Sequence, residues 1–240
     1  MTNRYTSVFQ GRLERGATLA AWHFVCTCPR CSEPADLGNH TDSLVCRCSG
    51  LLLPGDRGWL CEGCGESRGT EEVARMEEEV GGRVSRATTI AGMEALMQEH
   101  ATTLHTDHHI MMALKLALVR AYGRTMAQQA AGGQGWSLKQ VRRKVELCKQ
   151  LLAALARMDP GLGYTRGEVL CELAAPQLVL LQHSFSKGLQ VEGEVAALLA
   201  MVEEARTHLE LFEEAREEEK LRTVIQLLED VTTFHKHIKA

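Results

Sequence analysis

From about residue 70 onward the chain alternates apolar and polar positions at three- and four-residue steps, the period of amphipathic helices. Thr70 precedes "EEVARMEEEV", and Gly81-Gly82 is expected to stop that helix. A second helix is expected from about Met93 into the "HTDHH" corner, and "HIMMALKLALVRAY" then reads as a buried helix ending at Gly123. Ser137 and Gln140 form a capping box. After them Leu138, Val141, Val145, Cys148, Leu152 and Leu155 mark one face until "DPG" at 159–161. Thr165 and Glu168 form a second box, opening a helix in which Pro176 should bend the axis. Two more helices are expected over roughly 193–214 and 218–236. Long helices with short joins predict antiparallel hairpins, although no strict 34-residue repeat is legible.

Before residue 70 the pattern changes. Cysteine, glycine and proline replace helical periodicity, and "GESRGT" at 65–70 marks the boundary between two unlike parts. Aromatic residues make up only 5% of the 240 positions while 45% are hydrophobic, which favours helices around a sizeable core. The predicted fold is mainly α: a small cysteine-rich zinc-binding module followed by an α-helical hairpin array of tetratricopeptide-like character.

Seven of the nine cysteines lie between Cys26 and Cys64. The first 25 residues lack the basic, apolar and small-residue sequence of a secretion signal. No apolar run approaches the roughly 18 to 20 residues that cross a bilayer. A cytoplasmic or nuclear location without membrane partners is therefore expected, where clustered cysteines bind metal more often than they form disulfides. Cys148 and Cys171, on apolar helical faces, read as buried inert thiols.

Cys46, Cys48, Cys61 and Cys64 make two close pairs joined by "SGLLLPGDRGWL", a complete four-thiolate set for zinc, with Arg47 and Arg57 near enough in sequence to steady its negative charge. Cys26, Cys28 and Cys31 in "CTCPRC" supply three ligands without a fourth. His23 and His40 are the local candidates. Trp22 and Phe24, flanking His23, suggest a segment that packs inward within a larger apolar fold, which favours a ligand from elsewhere. His105, His108 and His109 read as a structural helix start, not a metal site, and "EEAREEEK" as a solvated helix face. Residues 1–69 carry seven basic and seven acidic side chains, so the module lacks the basic face that phosphate binding requires and direct nucleic-acid binding is not expected.

"RYTSVFQGRLERGATLAAWHFVCTCPRCSEPADLG" with "SLVCRCSGLLLP" and "GWLCEGCG" resembles the end of the SET domain and the post-SET region of SMYD proteins, the SET-and-MYND protein lysine methyltransferases, and most of all their arthropod branch. "LHTDHHIMMALKLALVRAYGR" and "VRRKVELCKQLLAALARMDPGLGYTRGEVLCELAAP" are similar to the helical C-terminal domain of the same family. The resemblance implies a domain order of 1–25 end of the SET core, 26–66 post-SET zinc module and 67–240 helical domain. It implies that Cys26, Cys28 and Cys31 share a zinc with a cysteine from an upstream Asn-His-Ser-Cys-like segment that this sequence does not contain. It implies that Tyr5 is the catalytic tyrosine orienting the substrate amine, and that Trp22, His23 and Phe24 line the pocket for S-adenosylmethionine. The implied activity is methyl transfer to lysine in histone or non-histone proteins, and the implied partner is a protein or peptide. Without most of the SET core, and so without a place for S-adenosylmethionine, the chain alone is expected to be inactive, as a truncated gene model or a non-catalytic paralogue. The alternative is a zinc-stapled helical adaptor that binds a partner and catalyses nothing.

Overall fold

The structure is a computed structural model that describes residues 6–133, 136–213 and 219–239. It is mainly helical with one small sheet, as the periodicity predicts. The elements in order are α1 (Arg12–Ala21), α2 (Pro29–Ser32), β1 (Leu44–Val45), β2 (Leu51–Gly55), β3 (Gly58–Cys61), β4 (Ser67–Arg68), α3 (Thr70–Arg86), α4 (Ile90–His100), α5 (His109–Ala131), α6 (Leu138–Met158), α7 (Tyr164–Ser186), α8 (Glu192–Leu209) and α9 (Lys220–Lys239). Two compact units, Met1–Leu118 and Val119–Ala240, divide the chain within α5. The boundaries expected at residues 25/26 and 66/67 both fall inside the first unit.

In the first unit the four strands form an antiparallel meander in the order β1-β2-β3-β4. Leu44 and Leu52 face one another across β1 and β2 and are fully buried. Trp59 on β3 is buried beside them, and its indole Nε1 donates to the Asp42 carbonyl at 2.6 Å. Asp42 also reaches α1. Its carboxylate accepts the Arg12 backbone N–H at 2.6 Å, so the helix is capped by an anion thirty residues away in sequence. Gly11, at the N-cap position, leaves room for this, since a Cβ there would lie 2.3 Å from the carboxylate oxygen.

The second unit is the hairpin array. Joins of a few residues fold α6, α7 and α8 back on one another, and α9 packs on α7 and α8. Its core gathers Leu170, Ala174, Val195, Leu198, Val202 and Leu209 with Val224 and Val231. The helix α7 passes through Pro176 without ending.

Several predicted stops are not stops. The helix α3 runs through Gly81-Gly82 to Arg86, carried by its buried Val73 and Val80 and by Arg83, which pairs with Glu99 of α4. Likewise α5 continues past Gly123 to Ala131. Thr165 and Glu168 do not cap α7. The helix starts at Tyr164 after Gly163, and Glu168 is buried in an ion pair. The Ser137 side chain makes no cap hydrogen bond.

Candidate metal centre

Each half of the four-cysteine set sits on a tight turn at one end of the sheet. Cys46 follows β1, and the turn closes with the Cys46 N–H donating to the Gly50 carbonyl at 2.9 Å. Ser49 adopts a left-handed φ of 67° to make it. Cys61 ends β3 opposite Leu52, and its N–H donates to the Glu66 carbonyl at 2.8 Å while Gly65 turns back on the Cys61 carbonyl at 3.0 Å. Because β1 and β3 both pair with β2, the two turns meet at the same edge.

The sulfurs converge there. Cys46 Sγ lies 3.5 Å from Cys64 Sγ and Cys48 Sγ lies 3.6 Å from Cys61 Sγ, with all four within 4.8 Å of one another. A disulfide would need about 2.05 Å. Zinc–sulfur bonds of about 2.3 Å in a tetrahedron place sulfurs about 3.8 Å apart, so the set has metal-site dimensions. The backbone is drawn close around it. A Cβ on Gly50 would stand 3.2 Å from both Cys48 Sγ and Cys61 Sγ, tighter than ordinary contact. The four cysteines can hold a metal ion, and their thiol chemistry is compatible with zinc.

Backbone N–H groups tune the thiols. The Cys64 N–H aimed at the Cys61 sulfur lowers that thiol to about 7, against desolvation and with help from the Gly63 N–H. The side chains expected to steady the charge do not: Arg47 and Arg57 are exposed and make no hydrogen bond or ion pair among the described residues. The polar group beside the sulfurs is instead Glu66, whose carboxylate accepts from Cys46 Sγ at 3.2 Å.

The trio is open. Cys28 caps the short α2 with Pro29 at its first position, which folds Cys31 back so that its N–H donates to the Cys28 carbonyl at 2.9 Å. The three sulfurs lie within 4.8 Å of one another, and no further ligand joins them among the described residues. Desolvation, with Cys28 and Cys26 as neighbours, pushes the Cys31 thiol up to about 11. His23 is exposed with φ 56° and stands outside the cluster. His40 is engaged elsewhere, its Nδ1 at 3.1 Å from Ser43 Oγ and its ring 4.6 Å from that of His105.

The aromatic stretch before the trio does not pack inward. Trp22 is 65% exposed, Phe24 54% and Val25 80%, and Leu13 on α1 adds to the uncovered apolar surface. The inward packing suggested by Trp22 and Phe24 is therefore not present within this unit. Tyr5 lies outside the described residues.

What holds the trio in place is a residue the sequence reading passed over. Asp36 is fully buried and sits at φ 54° in a left-handed run with Leu37, Gly38 and His40. Its carboxylate receives Arg15 of α1 at 2.9 and 3.2 Å, Arg30 at 2.8 and 2.9 Å, and the Thr41 hydroxyl at 2.9 Å. Arg30 lies between Cys28 and Cys31, so this carboxylate ties the cysteine turn to α1. A signal for it existed in "ADLGN", where an acidic residue precedes a left-handed glycine turn.

A third cluster, Glu77, His108 and His109, also comes within 4.8 Å. Three of its four ring nitrogens are engaged: His108 Nε2 pairs with Glu77 at 3.1 Å, His108 Nδ1 accepts the Ile110 N–H, and His109 Nδ1 meets the Thr41 carbonyl at 3.0 Å. Burial lowers the His108 pKa, which keeps the ring neutral as a hydrogen-bonding strut. Among the described residues no helix is long and apolar enough to cross a membrane. No family model matches the chain, and no curated protein matches it.

Proposed function

We propose that this chain forms the post-SET zinc region and helical C-terminal domain of a SMYD-like protein lysine methyltransferase. Zinc is the metal at Cys46, Cys48, Cys61 and Cys64, where four soft thiolates select it. Cys26, Cys28 and Cys31 contribute three-quarters of a second zinc site whose fourth ligand comes from the SET core. Free thiols in both sets suit a reducing cytoplasmic or nuclear compartment.

The observation that carries this reading is the pairing of an incomplete ligand set with an uncovered apolar surface. Three convergent thiols lie directly beside exposed Trp22, Phe24 and Val25. Large exposed apolar side chains in sequence mark a place where other protein surface packs, and the resemblance assigns that surface to a SET core. With the core in place, Trp22, His23 and Phe24 would wall the S-adenosylmethionine pocket and Tyr5 would orient the lysine amine. Bound S-adenosylmethionine supplies an electrophilic methyl group. The contribution of this chain's residues is to exclude water and hold the amine in line.

The test is to read the transcript upstream and to express the extended protein with tritiated S-adenosylmethionine and a mixed protein substrate. A Gly-rich SET start, an Asn-His segment, and label incorporation abolished by Tyr5→Phe are expected. An unrelated upstream domain, or two tight zincs on the 240-residue chain with no cofactor binding by calorimetry, would overturn the reading in favour of a zinc-stapled adaptor.

A further inference from the structure

In the second unit, helices α5, α6, α7 and α9 surround a half-open cavity of about 650 Å3. Small-molecule sites span roughly 300–1,000 Å3. The charge on its wall is uneven. Glu168, 1% exposed, receives the Arg120 guanidinium through two bonds of 2.8 Å and also the Lys220 ammonium. Beside it Lys144 donates to Glu172 at 2.6 Å. Burial works against a charged Glu168, yet the bonds from Arg120 and Lys220 hold its carboxyl below the usual range, so it is ionised at neutral pH. Two carboxylates thus face three paired cations and a fourth, Arg124, which is exposed and makes no hydrogen bond or ion pair among the described residues. Among the described residues the wall carries a surplus of two positive charges.

Its apolar side is equally specific. Trp136 lines the cavity, and its Nε1 donates to the Met126 carbonyl at 2.9 Å. The indole's one donor is therefore satisfied within the wall, and what it presents to a ligand is ring surface. Met126, Ala175 and Leu227 extend that surface. A cationic edge beside an aromatic face suits a ligand with a charged head and a flat body. The buried carboxylates repel a polyanion, and a surplus of two positive charges is matched by one or two negative ones.

We propose that this cavity binds a small organic anion with a flat apolar body, its acidic group held at Arg124, Arg120 and Lys220 and its body against Trp136. No cysteine of either metal cluster takes part, so the site stands or falls separately from the reading above.

Fluorescence titration of the zinc-loaded chain with 8-anilino-1-naphthalenesulfonate tests it, with uncharged N-phenyl-1-naphthylamine as the same ring system lacking the acid. Saturable 1:1 binding is expected. Arg124→Glu and Trp136→Leu should each weaken it by about tenfold or more, the worth of one good contact, while Arg124→Lys retains most of it. The uncharged analogue should bind weaker by a similar factor. Arg124 is exposed, so its variants keep the fold, which circular dichroism verifies. Absence of saturable binding, equal affinity for the uncharged analogue, or affinity unmoved by Arg124→Glu would each overturn the proposal.

Discussion

Replacing Cys61 with serine should remove tightly held zinc from the chain and loosen the sheet. Cys61 is 2% exposed at the end of β3, with its sulfur 3.6 Å from that of Cys48. A hydroxyl at this position is a poor ligand for zinc, so one of four bonds is lost. Structural zinc binding contributes about 10–16 kcal/mol at neutral pH. An equal quarter is about 2.5–4 kcal/mol, which weakens binding by roughly two to three powers of ten. The protein part of the module cannot make up the difference. Its main buried apolar side chains, Leu44, Leu52 and Trp59, contribute about 1.5–3 kcal/mol each, less in total than the metal. Loss of zinc should therefore reach Trp59, which lies two residues from the site and donates to Asp42.

Zinc content after dialysis against a chelator, with tryptophan emission recorded in parallel, checks this. The natural chain should retain one zinc, Cys61→Ser almost none, and Cys31→Ser one, because no fourth ligand joins the trio among the described residues. The emission of Cys61→Ser should shift to the red as Trp59 meets water. Full zinc retention by Cys61→Ser would refute the four-thiolate centre. Loss of zinc on Cys31→Ser alone would show that the trio is closed by a ligand and that the argument from its openness fails.

Three further outcomes follow from buried charge. Asp36→Asn leaves Arg15, 6% exposed, without its anion, and should cost about 3–5 kcal/mol in chemical denaturation of the first unit; a change below about 1 kcal/mol, the scale of a surface pair, would mean that the guanidiniums find other partners. Gly123→Ala would place a Cβ 2.5 Å from Glu172 and 3.1 Å from Lys144, and Lys144 is 4% exposed. Both atoms are the far ends of flexible side chains and Glu172 is 26% exposed, so the pair can swing aside and offset only part of the gain in helix propensity of about 1 kcal/mol; a net change within about 1 kcal/mol is expected, and a loss above about 2 kcal/mol would refute it. Burial, with a smaller contribution from His40, lowers the His105 pKa to about 4. The neutral ring is the folded form, so its contribution is complete above the unfolded value near 6.5 and is lost as pH falls from there to about 4. At full weight that shift is about 3 kcal/mol, and for a partly exposed ring roughly 1–2 kcal/mol. His105→Gln should flatten stability over this window, and an unchanged pH profile would exclude His105 as its source.

The parts of this molecule that were legible in the sequence are those governed by contacts close along the chain. Helix periodicity is local, so α6 to α9 could be outlined from their apolar faces. Ligand spacing is local too. Two turns of three or four residues, "CRC" and "CEGC", suffice to specify the four-thiol geometry once β2 brings them together. The errors arose where a residue's partner is remote. Gly123 reads as a helix end by propensity, yet α5 runs through it, and the Glu172–Lys144 pair from two other helices lies against it. Glu168 reads as a capping residue, yet it is taken by Arg120 and by Lys220, fifty-two positions away. Asp36 was missed for the same reason, since Arg15 precedes it by twenty-one residues. The trio separates the two kinds of information within one site. Its spacing brings three sulfurs together, whereas the Asp36–Arg15 contact that ties their turn to α1 spans twenty-one residues. Local spacing therefore defines which metal a site suits, and remote contacts define whether the site is closed, which is why the zinc count on Cys31→Ser bears on function more directly than any feature of the helical unit.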